Sequence, residues 1–163
     1  MADLGVTKPH VIAHSFGCRV AVKMAKDGGQ VFDKLLLTGP AGGVFPRGLC
    51  YKSKVALYRL VKKFAPKYAE THFGSKEYRT LSDAMKESYK KIVNEDLRAD
   101  ASRVENEVLI VEGKEDTVTP QREAEAYLAA FPNARIKLTE GGHFAFAEFP
   151  TAFNLIAEEF FNG

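Results

Sequence analysis

Residues 10–26 read HVIAHSFGCRVAVKMAK, and this stretch predicts a strand, a tight turn and a helix in succession. The apolar run His10–Ala13 lacks the alternation of a strand with one face in water, so it is typical of a buried parallel strand. The following run, Gly17–Lys26, is rich in small and apolar residues and stops at the breaker cluster Asp-Gly-Gly of residues 27–29. A strand that passes at once into a helix indicates a βαβ architecture.

Three further apolar runs repeat the strand pattern along the chain: Leu35–Thr38, Val108–Val111 and Ile136–Leu138. Two candidate helices follow the later strands. The run Pro120–Phe131 has Thr119 as its expected cap and proline at its first position, and Pro150–Phe161 uses proline in the same way. Because strands alternate with helices, we expect an α/β protein with about four strands in a mostly parallel sheet flanked by helices.

The composition is that of an ordinary globular protein, with 163 residues, a formal net charge of +2 and 45% hydrophobic residues. One compact domain over residues 1–163 is expected at this length. The near-neutral charge argues against nucleic acid as a partner, and two cysteines are too few for a disulfide framework or a zinc site. No apolar run approaches the ~20 residues of a membrane span, and the first five residues do not resemble a signal peptide, so we expect a cytoplasmic protein.

The segment 39–106 is too long for a simple crossover between two strands, and its pattern is mostly helical. Its first half is basic, with no acidic residue between Asp33 and Glu70. Apolar residues recur at helical spacing from Val55 to Phe64, which leaves the cations on the other faces of the helix. Such a helix is compatible with a solvated face on a lid, a membrane-surface element or a site for acidic ligands, and the solvated face is the commonest of the three.

The pentapeptide Ala-His-Ser-Phe-Gly at residues 13–17 lies where the first strand ends and the helix begins. A serine hydroxyl is a weak nucleophile, so catalysis requires that a tight turn lift it toward a base and toward backbone donors. Small residues at Ala13 and Gly17 would allow this turn, and the backbone N–H of Phe16 at the helix N-terminus would stabilise an oxyanion. An alternative role for Ser15 is that of a helix N-cap.

Two further polar residues follow later strands at their carboxyl ends. Asp116 lies in the loop after the third predicted strand, and His143 lies in the loop after the fourth. The carboxyl ends of parallel strands meet at one edge of a sheet, so Ser15, Asp116 and His143 are expected to converge there. Their order along the chain is that of a hydrolase triad mounted on an α/β sheet. The alternatives are Asp116 as a turn residue, Glu115 as the orienting acid and His143 as a structural histidine.

Three motifs together resemble those of the α/β-hydrolase family, and the resemblance extends from about Leu4 to the C-terminus. They are the elbow at residues 13–17, the Gly-x-x-Asp turn at residues 113–116 followed by Pro120, and Gly-His-Phe at residues 142–144 followed by Glu148-Phe149-Pro150. A short serine motif alone is common, but the joint occurrence of the three in this order is specific. A serine at the elbow, in place of an aspartate, disfavours the dehalogenase and epoxide-hydrolase branches of the family.

The resemblance implies a serine hydrolase that cleaves a small carboxylic ester or a related acyl substrate through an acyl-enzyme, without a cofactor or a metal. Ser15 would be the nucleophile, His143 the general base and then acid, and Asp116 the residue that orients the imidazole. Phe16 would supply an oxyanion donor. Residues 44–104 would form a helical cap or lid inserted within the single domain.

The position of the elbow serine departs from the family pattern, in which four strands usually precede it and the loop after the third supplies a second oxyanion donor. Here that serine is residue 15, so the resemblance is to the C-terminal portion of the family. The strand His10–Ala13 is then expected at an edge of the sheet, where unpaired backbone groups favour association with another copy of the chain. The alternative function is that of a catalytically incompetent hydrolase fragment or an interaction module.

Other residues are weaker candidates for chemistry. His10 and His14 are four residues apart, which is about 13 Å on a strand at ~3.3 Å per residue, so a shared metal is not expected. His14 is instead expected to line the substrate pocket beside the nucleophile. Cys18 is expected to be a small buried hydrophobe, and the glycine-rich run 39–43 lacks the Gly-Lys-Ser/Thr ending of a phosphate loop.

Overall fold

The structure is a computed structural model, and it describes residues 5–27, 31–43, 57–58, 60–61, 63–65 and 82–163. The chain separates into two compact units. Met1–Gly43 and Asp96–Gly163 form the first, here called the sheet unit. Val44–Glu95 form the second, here called the inserted unit.

In the described residues, four parallel strands form one sheet, in the order in which they occur along the chain. They are β1 (Val11–His14), β2 (Lys34–Thr38), β3 (Glu107–Gly113) and β4 (Ala134–Thr139). Each contains most of the run predicted for it, so the prediction of a parallel α/β sheet is confirmed. The register places Ala13 opposite Leu37, and Leu37 opposite Ile110. The carboxyl ends of all four strands therefore lie at the same edge, and β1 is an outer strand of the sheet.

Helices cover both faces of this sheet. Those assigned in the described ranges are α1 (Phe16–Ala25), α2 (Asp83–Val93), α3 (Arg98–Ala101), α4 (Gln121–Ala130), α5 (Ala145–Glu148) and α6 (Pro150–Asn162). Helices α1, α3 and α4 pack on one face, and α6 packs on the other. Side chains alternate along a strand, so Leu35 and Leu37 enter the first core and Leu36 enters the second. Because both cores are closed, all three leucines are fully buried.

The two prolines predicted at helix starts behave differently. Pro150 lies in the first turn of α6, as predicted. Pro120 precedes α4, which begins at Gln121, and it occupies the cap position with φ of −59° and ψ of 151°. The prediction that Thr119 caps this helix was wrong, because its hydroxyl donates to the Asp116 carboxylate instead.

In the inserted unit the structure describes α2 and short helical stretches at residues 57–58, 60–61 and 63–64. Ser82 caps α2, since its hydroxyl accepts a hydrogen bond from the Met85 N–H at 3.4 Å. Most of the basic residues of the region lie outside the described residues: Arg47, Lys52, Lys54, Arg59, Lys62 and Lys67. The role of this unit as a cap or lid stays a prediction.

Residues 96–104, which the predicted cap includes, belong to the sheet unit. Three apolar residues in and beside α3 are fully buried there: Leu97, Ala101 and Val104. They join the core that α1 and α4 share with the sheet, so the inserted unit ends at Glu95, earlier than the predicted boundary. None of the helices in the described ranges is long and apolar enough to cross a membrane.

Candidate active site

The turn between β1 and α1 holds Ser15 in an unusual backbone conformation. With φ of 50° and ψ of −113°, it is the one non-glycine residue with positive φ in the part of the chain that the structure describes. Such a conformation costs about 1–3 kcal/mol and persists only where the surroundings enforce it. The Ser15 N–H donates to the Thr38 carbonyl at 3.0 Å, which holds the turn against the end of β2.

The Ser15 side chain faces a histidine and does not cap the helix. Ser15 occupies the cap position of α1, but its hydroxyl makes no capping hydrogen bond, so the capping alternative is wrong. Its Oγ lies 3.0 Å from His143 Nε2 instead. A Cβ built at Gly17 would lie 3.9 Å from the Ala13 Cβ, which is an ordinary contact. The turn therefore has room for a methyl group at position 17, in agreement with the prediction that small residues there allow it.

His143 connects Ser15 to Asp116. Its Nδ1 lies 2.7 Å from Asp116 Oδ2, while its Nε2 faces the serine. The side chains of His143 and Asp116 are 8% and 0% exposed, so little water competes for these contacts. The neighbouring Glu115 is exposed, which excludes it as the acid on this histidine. The loops after β3 and β4 thus bring both residues to the elbow at the carboxyl edge of the sheet.

Hydrogen bonds hold the Asp116 carboxylate in one orientation. Its Oδ1 accepts from the Val118 N–H at 2.7 Å and from the Thr119 N–H at 2.9 Å. Its Oδ2 accepts from the Thr119 hydroxyl at 2.9 Å as well as from His143. Burial by itself would raise the pKa of Asp116, but the hydrogen bonds from His143, Thr119 and Val118 outweigh burial and hold the pKa below its ordinary value. Asp116 is therefore ionised at neutral pH.

Thr119 is a site residue that the sequence analysis assigned to helix capping. The signal that points to its actual role is the spacing of three residues from Asp116, since aspartate side chains commonly accept from the backbone two and three residues further on. Both N–H groups at those positions do donate to Asp116. The helix that follows needs no cap from Thr119 because proline comes before its first residue.

Glycines allow the loops after β3 and β4 to touch. The Glu115 N–H in the first loop donates to the Gly141 carbonyl in the second at 3.0 Å. A Cβ at Gly113 would collide with the carbonyl oxygens of Gly141 and Gly142. Gly141 has φ of 97°, a conformation that favours glycine. The double glycine before His143 therefore permits the close approach that was predicted for it.

His14 lies beside the imidazole of His143. The two ring centroids are 4.7 Å apart, and the rings of Phe144 and Phe146 lie 5.2 and 4.9 Å from His14. Its Nδ1 donates to the Thr38 carbonyl at 3.2 Å. Burial, and then the neighbouring His143, lower the pKa of His14, so it is neutral at pH 7. Contact of His14 with substrate stays a prediction, and the structure adds a packing role against His143.

Phe16 is the first residue of α1, and it is 47% exposed. The first N–H groups of a helix have no partner within the helix, so the Phe16 N–H is free to bind a ligand beside Ser15. No backbone hydrogen bond to it occurs in the described ranges. Its role as an oxyanion donor stays a prediction. Cys18, two residues further on, is fully buried, and burial raises the pKa of its thiol, so it is not a nucleophile.

The glycine-rich run 39–43 packs against the site and against α4. Gly39 has φ of 51°, and a Cβ there would lie 3.0 Å from His143 Nδ1. A Cβ at Gly42 would collide with the Tyr127 hydroxyl, which itself donates to the Ala41 carbonyl at 3.2 Å. Close packing beside the triad therefore explains these glycines without a bound phosphate.

His10 does not approach His14 to form a metal site. Its ring stacks on Phe161 with centroids 4.8 Å apart, and its Nδ1 lies 3.5 Å from the Asp33 carboxylate. No group of three or more metal-ligating side chains occurs among the residues that the structure describes.

A family model described as "Alpha/beta hydrolase family" matches residues 1–154. The chain belongs to the alpha/beta hydrolase family. The fold, the elbow and the chain order of its three site residues are those expected of an α/β hydrolase. A search of curated protein sequences found no match.

Solved structures share the fold of this α/β hydrolase. An esterase from Exiguobacterium antarcticum is similar over 99% of this chain and 69% of its own, with a TM-score of 0.70 and 20% identity. The 2-hydroxy-6-oxo-6-phenylhexa-2,4-dienoate hydrolase from Rhodococcus sp. strain RHA1 is similar over 100% and 67%, with a TM-score of 0.71 and 20% identity. A hydrolase from Pseudomonas aeruginosa PA01 is similar over 99% and 68%, with a TM-score of 0.64 and 20% identity.

The chain spans about two thirds of the length of the solved structures that resemble it, between 64% and 69%. At identities of 19% to 22% these likenesses show the fold alone.

Proposed function

We propose that this α/β hydrolase is a serine hydrolase that cleaves a small carboxylic ester, or a related acyl substrate, through an acyl-enzyme. One observation carries the proposal: Ser15 Oγ lies 3.0 Å from His143 Nε2, and His143 Nδ1 lies 2.7 Å from Asp116 Oδ2. A base within hydrogen-bond reach of a nucleophile, and itself oriented by an acid, is the signature of an activated serine.

In the first step of the proposed reaction, Ser15 Oγ attacks the carbonyl carbon of the substrate while His143 Nε2 takes its proton. Negative charge develops on the former carbonyl oxygen, and we assign the Phe16 N–H as a donor to it. His143 then gives the proton to the departing alcohol oxygen, which leaves the acyl group on Ser15. Water attacks this acyl-enzyme with His143 again as base, the carboxylic acid leaves, and Ser15 regains its proton.

Asp116 supports this chemistry through its charge and its fixed position. An ionised carboxylate on Nδ1 stabilises the imidazolium that forms when His143 takes the serine proton. The same contact keeps the proton of the neutral imidazole on Nδ1, so that Nε2 is free to act as a base. Replacement of such an aspartate by asparagine typically lowers kcat by ~10⁴, and we expect a loss of that order for Asp116→Asn.

The class of substrate is inferred from the chemistry of the triad. Transfer of an acyl group to serine requires a nucleophile, a base and a donor to the oxyanion, and the proposal assigns these roles to Ser15, His143 and the Phe16 N–H. The names of two structural neighbours, an esterase and a dienoate hydrolase, are compatible with acyl chemistry but point to different substrates. A short carboxylic ester is therefore the first substrate to test.

A fluorophosphonate probe and p-nitrophenyl acetate test the proposal on the purified chain. We expect the probe to label Ser15, as identified by mass spectrometry of the peptide, and Ser15→Ala to abolish both labelling and hydrolysis. Ser102→Ala is the matched control, because Ser102 is exposed and its hydroxyl donates only to the Ala99 carbonyl at 2.9 Å. Hydrolysis that survives Ser15→Ala would refute the mechanism. Absence of labelling and of hydrolysis in the wild-type chain would favour the alternative of a hydrolase-like interaction module.

A further inference from the structure

A second carboxyl group lies near the triad at the end of β3. Glu112 is fully buried, and neither of its carboxyl oxygens has a hydrogen-bond partner among the residues that the structure describes. Side chains alternate along a strand, so Glu112 points to the same face of the sheet as Val108 and Ile110. That face is the one covered by α1 and α4.

The loop after β3 returns Asp116 to the end of the strand that carries Glu112. The Asp116 N–H donates to the Gly113 carbonyl at 3.1 Å, which closes a tight turn immediately after Glu112. Among the charges that act on Glu112, the negative charge of Asp116 has the largest effect. Two neighbouring carboxyl groups do not readily ionise at the same time.

The charges that raise the pKa of Glu112 are those of acidic groups. The titratable and charged groups that face it or its neighbours are Asp116 in the loop after β3, Glu123 and Tyr127 on α4, Cys18 and Arg19 on α1, and His143 in the loop after β4. The positive charge of Arg19 lowers the pKa of Glu123 and of Tyr127, and His143 forms a hydrogen bond with Asp116. Burial, then the negative charge of Asp116 and the approach of its side chain, and then the negative charge of Glu123 raise the pKa of Glu112 to about 8. Glu112 therefore carries a proton at neutral pH.

We propose that Glu112 is a positioning residue that acts through Asp116: in its neutral form it leaves Asp116 as the single negative charge beside His143, and its ionisation disables the site. An unpaired carboxylate is costly to bury, and a second anion beside Asp116 increases the cost. The cost is relieved if the Asp116 loop moves away or if water enters around Glu112. Either change weakens the contact of 2.7 Å between Asp116 and His143. This inference rests on the proposed function, because the contact matters to the rate only if His143 is the base.

The pH dependence of hydrolysis separates this role from a structural one. We expect kcat/KM of the wild-type chain for p-nitrophenyl acetate to fall about tenfold one pH unit above the midpoint of Glu112 ionisation, and about a hundredfold two units above it. Glu112→Gln replaces the neutral acid by a neutral amide of the same shape. It should keep the wild-type kcat/KM at neutral pH and extend the plateau toward about pH 10.

Glu107→Gln is the matched control, because it makes the same substitution on the same strand at the opposite end. Glu107 pairs with Lys34 at 3.5 Å and with Arg135 at 3.3 Å, and its side chain is one third exposed. We expect this variant to retain the alkaline fall in kcat/KM. The proposal is overturned if Glu112→Gln shows the same alkaline fall as Glu107→Gln, or if it is folded but inactive at neutral pH.

A second measurement decides the protonation of Glu112 even if Glu112→Gln fails to fold or if the chain hydrolyses no ester. In the wild-type chain labelled with carbon-13 at glutamate side chains, the assigned Glu112 carboxyl resonance should titrate above about pH 7, whereas ordinary glutamates titrate near ~4.3. Titration of this resonance in the ordinary range would overturn the inference. Because the spectrum does not depend on turnover, a chain in which Ser15 is not a nucleophile can be distinguished from one in which Glu112 is ionised at neutral pH.

Discussion

Replacing Gly39 with alanine should separate His143 from Ser15 without a substitution at either residue. Gly39 lies just after β2 with φ of 51°, in the left-handed region that favours glycine. A Cβ there would lie 3.0 Å from His143 Nδ1, 3.2 Å from His143 Cε1 and 3.3 Å from Asp116 Oδ2. The new methyl group therefore pushes on the imidazole and on the carboxylate together.

Two effects of Gly39→Ala can be given a magnitude. An L-residue in the left-handed region is destabilised by roughly 1–2 kcal/mol, and we expect the free energy of unfolding to fall by about that amount. The His143 ring must also retreat by a few tenths of an ångström, because 3.0 Å is too close for a carbon against a ring nitrogen. A misplacement of 1 Å can cost about 10² in rate, so this smaller shift should lower kcat/KM about tenfold.

Urea unfolding measures the first effect, and hydrolysis of p-nitrophenyl acetate measures the second. Gly17→Ala is the matched control, because it makes the same substitution two residues after Ser15. A Cβ at Gly17 meets only the Ala13 Cβ at 3.9 Å, so kcat/KM should not change, and the helix should gain up to about 1 kcal/mol. Equal kcat/KM values for Gly39→Ala and Gly17→Ala would refute the argument that Gly39 sets the position of the imidazole.

Thr119→Val removes the hydroxyl that donates to Asp116 at 2.9 Å, so kcat/KM for the same ester should fall about tenfold, and an unchanged value would contradict this role. Asp100→Asn removes a carboxylate that pairs with Lys23 at 2.6 Å. Hydrogen bonds from Lys23 and then from Lys26 hold the pKa of Asp100 below its ordinary value. The stability that this carboxylate contributes is therefore present above the unfolded-state pKa of Asp100, and it is lost as the pH falls through the folded-state pKa. Thermal unfolding should therefore show that Asp100→Asn is less stable than wild type by about 1 kcal/mol at neutral pH and equally stable at about pH 2. A difference in stability that persists in acid would count against the ion pair. Ile12→Lys adds a charge to the outer strand β1, where Ile12 is 53% exposed. Sedimentation velocity should show self-association of wild type that the variant loses, and a wild type that stays monomeric at high concentration would disprove it.

The two central strands, β2 and β3, could be predicted because they are covered on both faces. The prediction that the first strand is buried in the same way was wrong, because β1 lies at the edge of the sheet and Ile12 is 53% exposed. In the run Leu35–Leu37 consecutive residues enter opposite cores, so every position must be apolar, and the resulting pattern is readable without knowledge of the partners. The order of the three site residues could be read in the same way, since each follows a strand and the carboxyl ends of parallel strands share one edge.

Neighbours in sequence could not assign the hydrogen bond of the Thr119 hydroxyl, the close packing at Gly39 or the burial of Glu112. Thr119 has the expected chemistry of a helix cap, and only the position of Asp116 decides that its hydroxyl donates to that carboxylate. Gly39 resembles part of a phosphate loop until the imidazole from the loop after β4 is placed against it. Glu112 is a charged residue in an apolar run, and its burial depends on helices from distant parts of the chain.

The sequence by itself determined the parallel sheet and predicted which three polar residues meet at its carboxyl edge, because these depend on local periodicity and on the order of motifs along the chain. Only the tertiary structure decided the distances between Ser15, His143 and Asp116, the strained φ of the serine and the burial of Glu112 at the end of β3. The physical reason is the separation along the chain of the residues on which each property depends. Periodicity is a property of neighbouring residues, whereas hydrogen bonds, burial and the pKa of a carboxyl group depend on atoms that the fold brings together from distant positions.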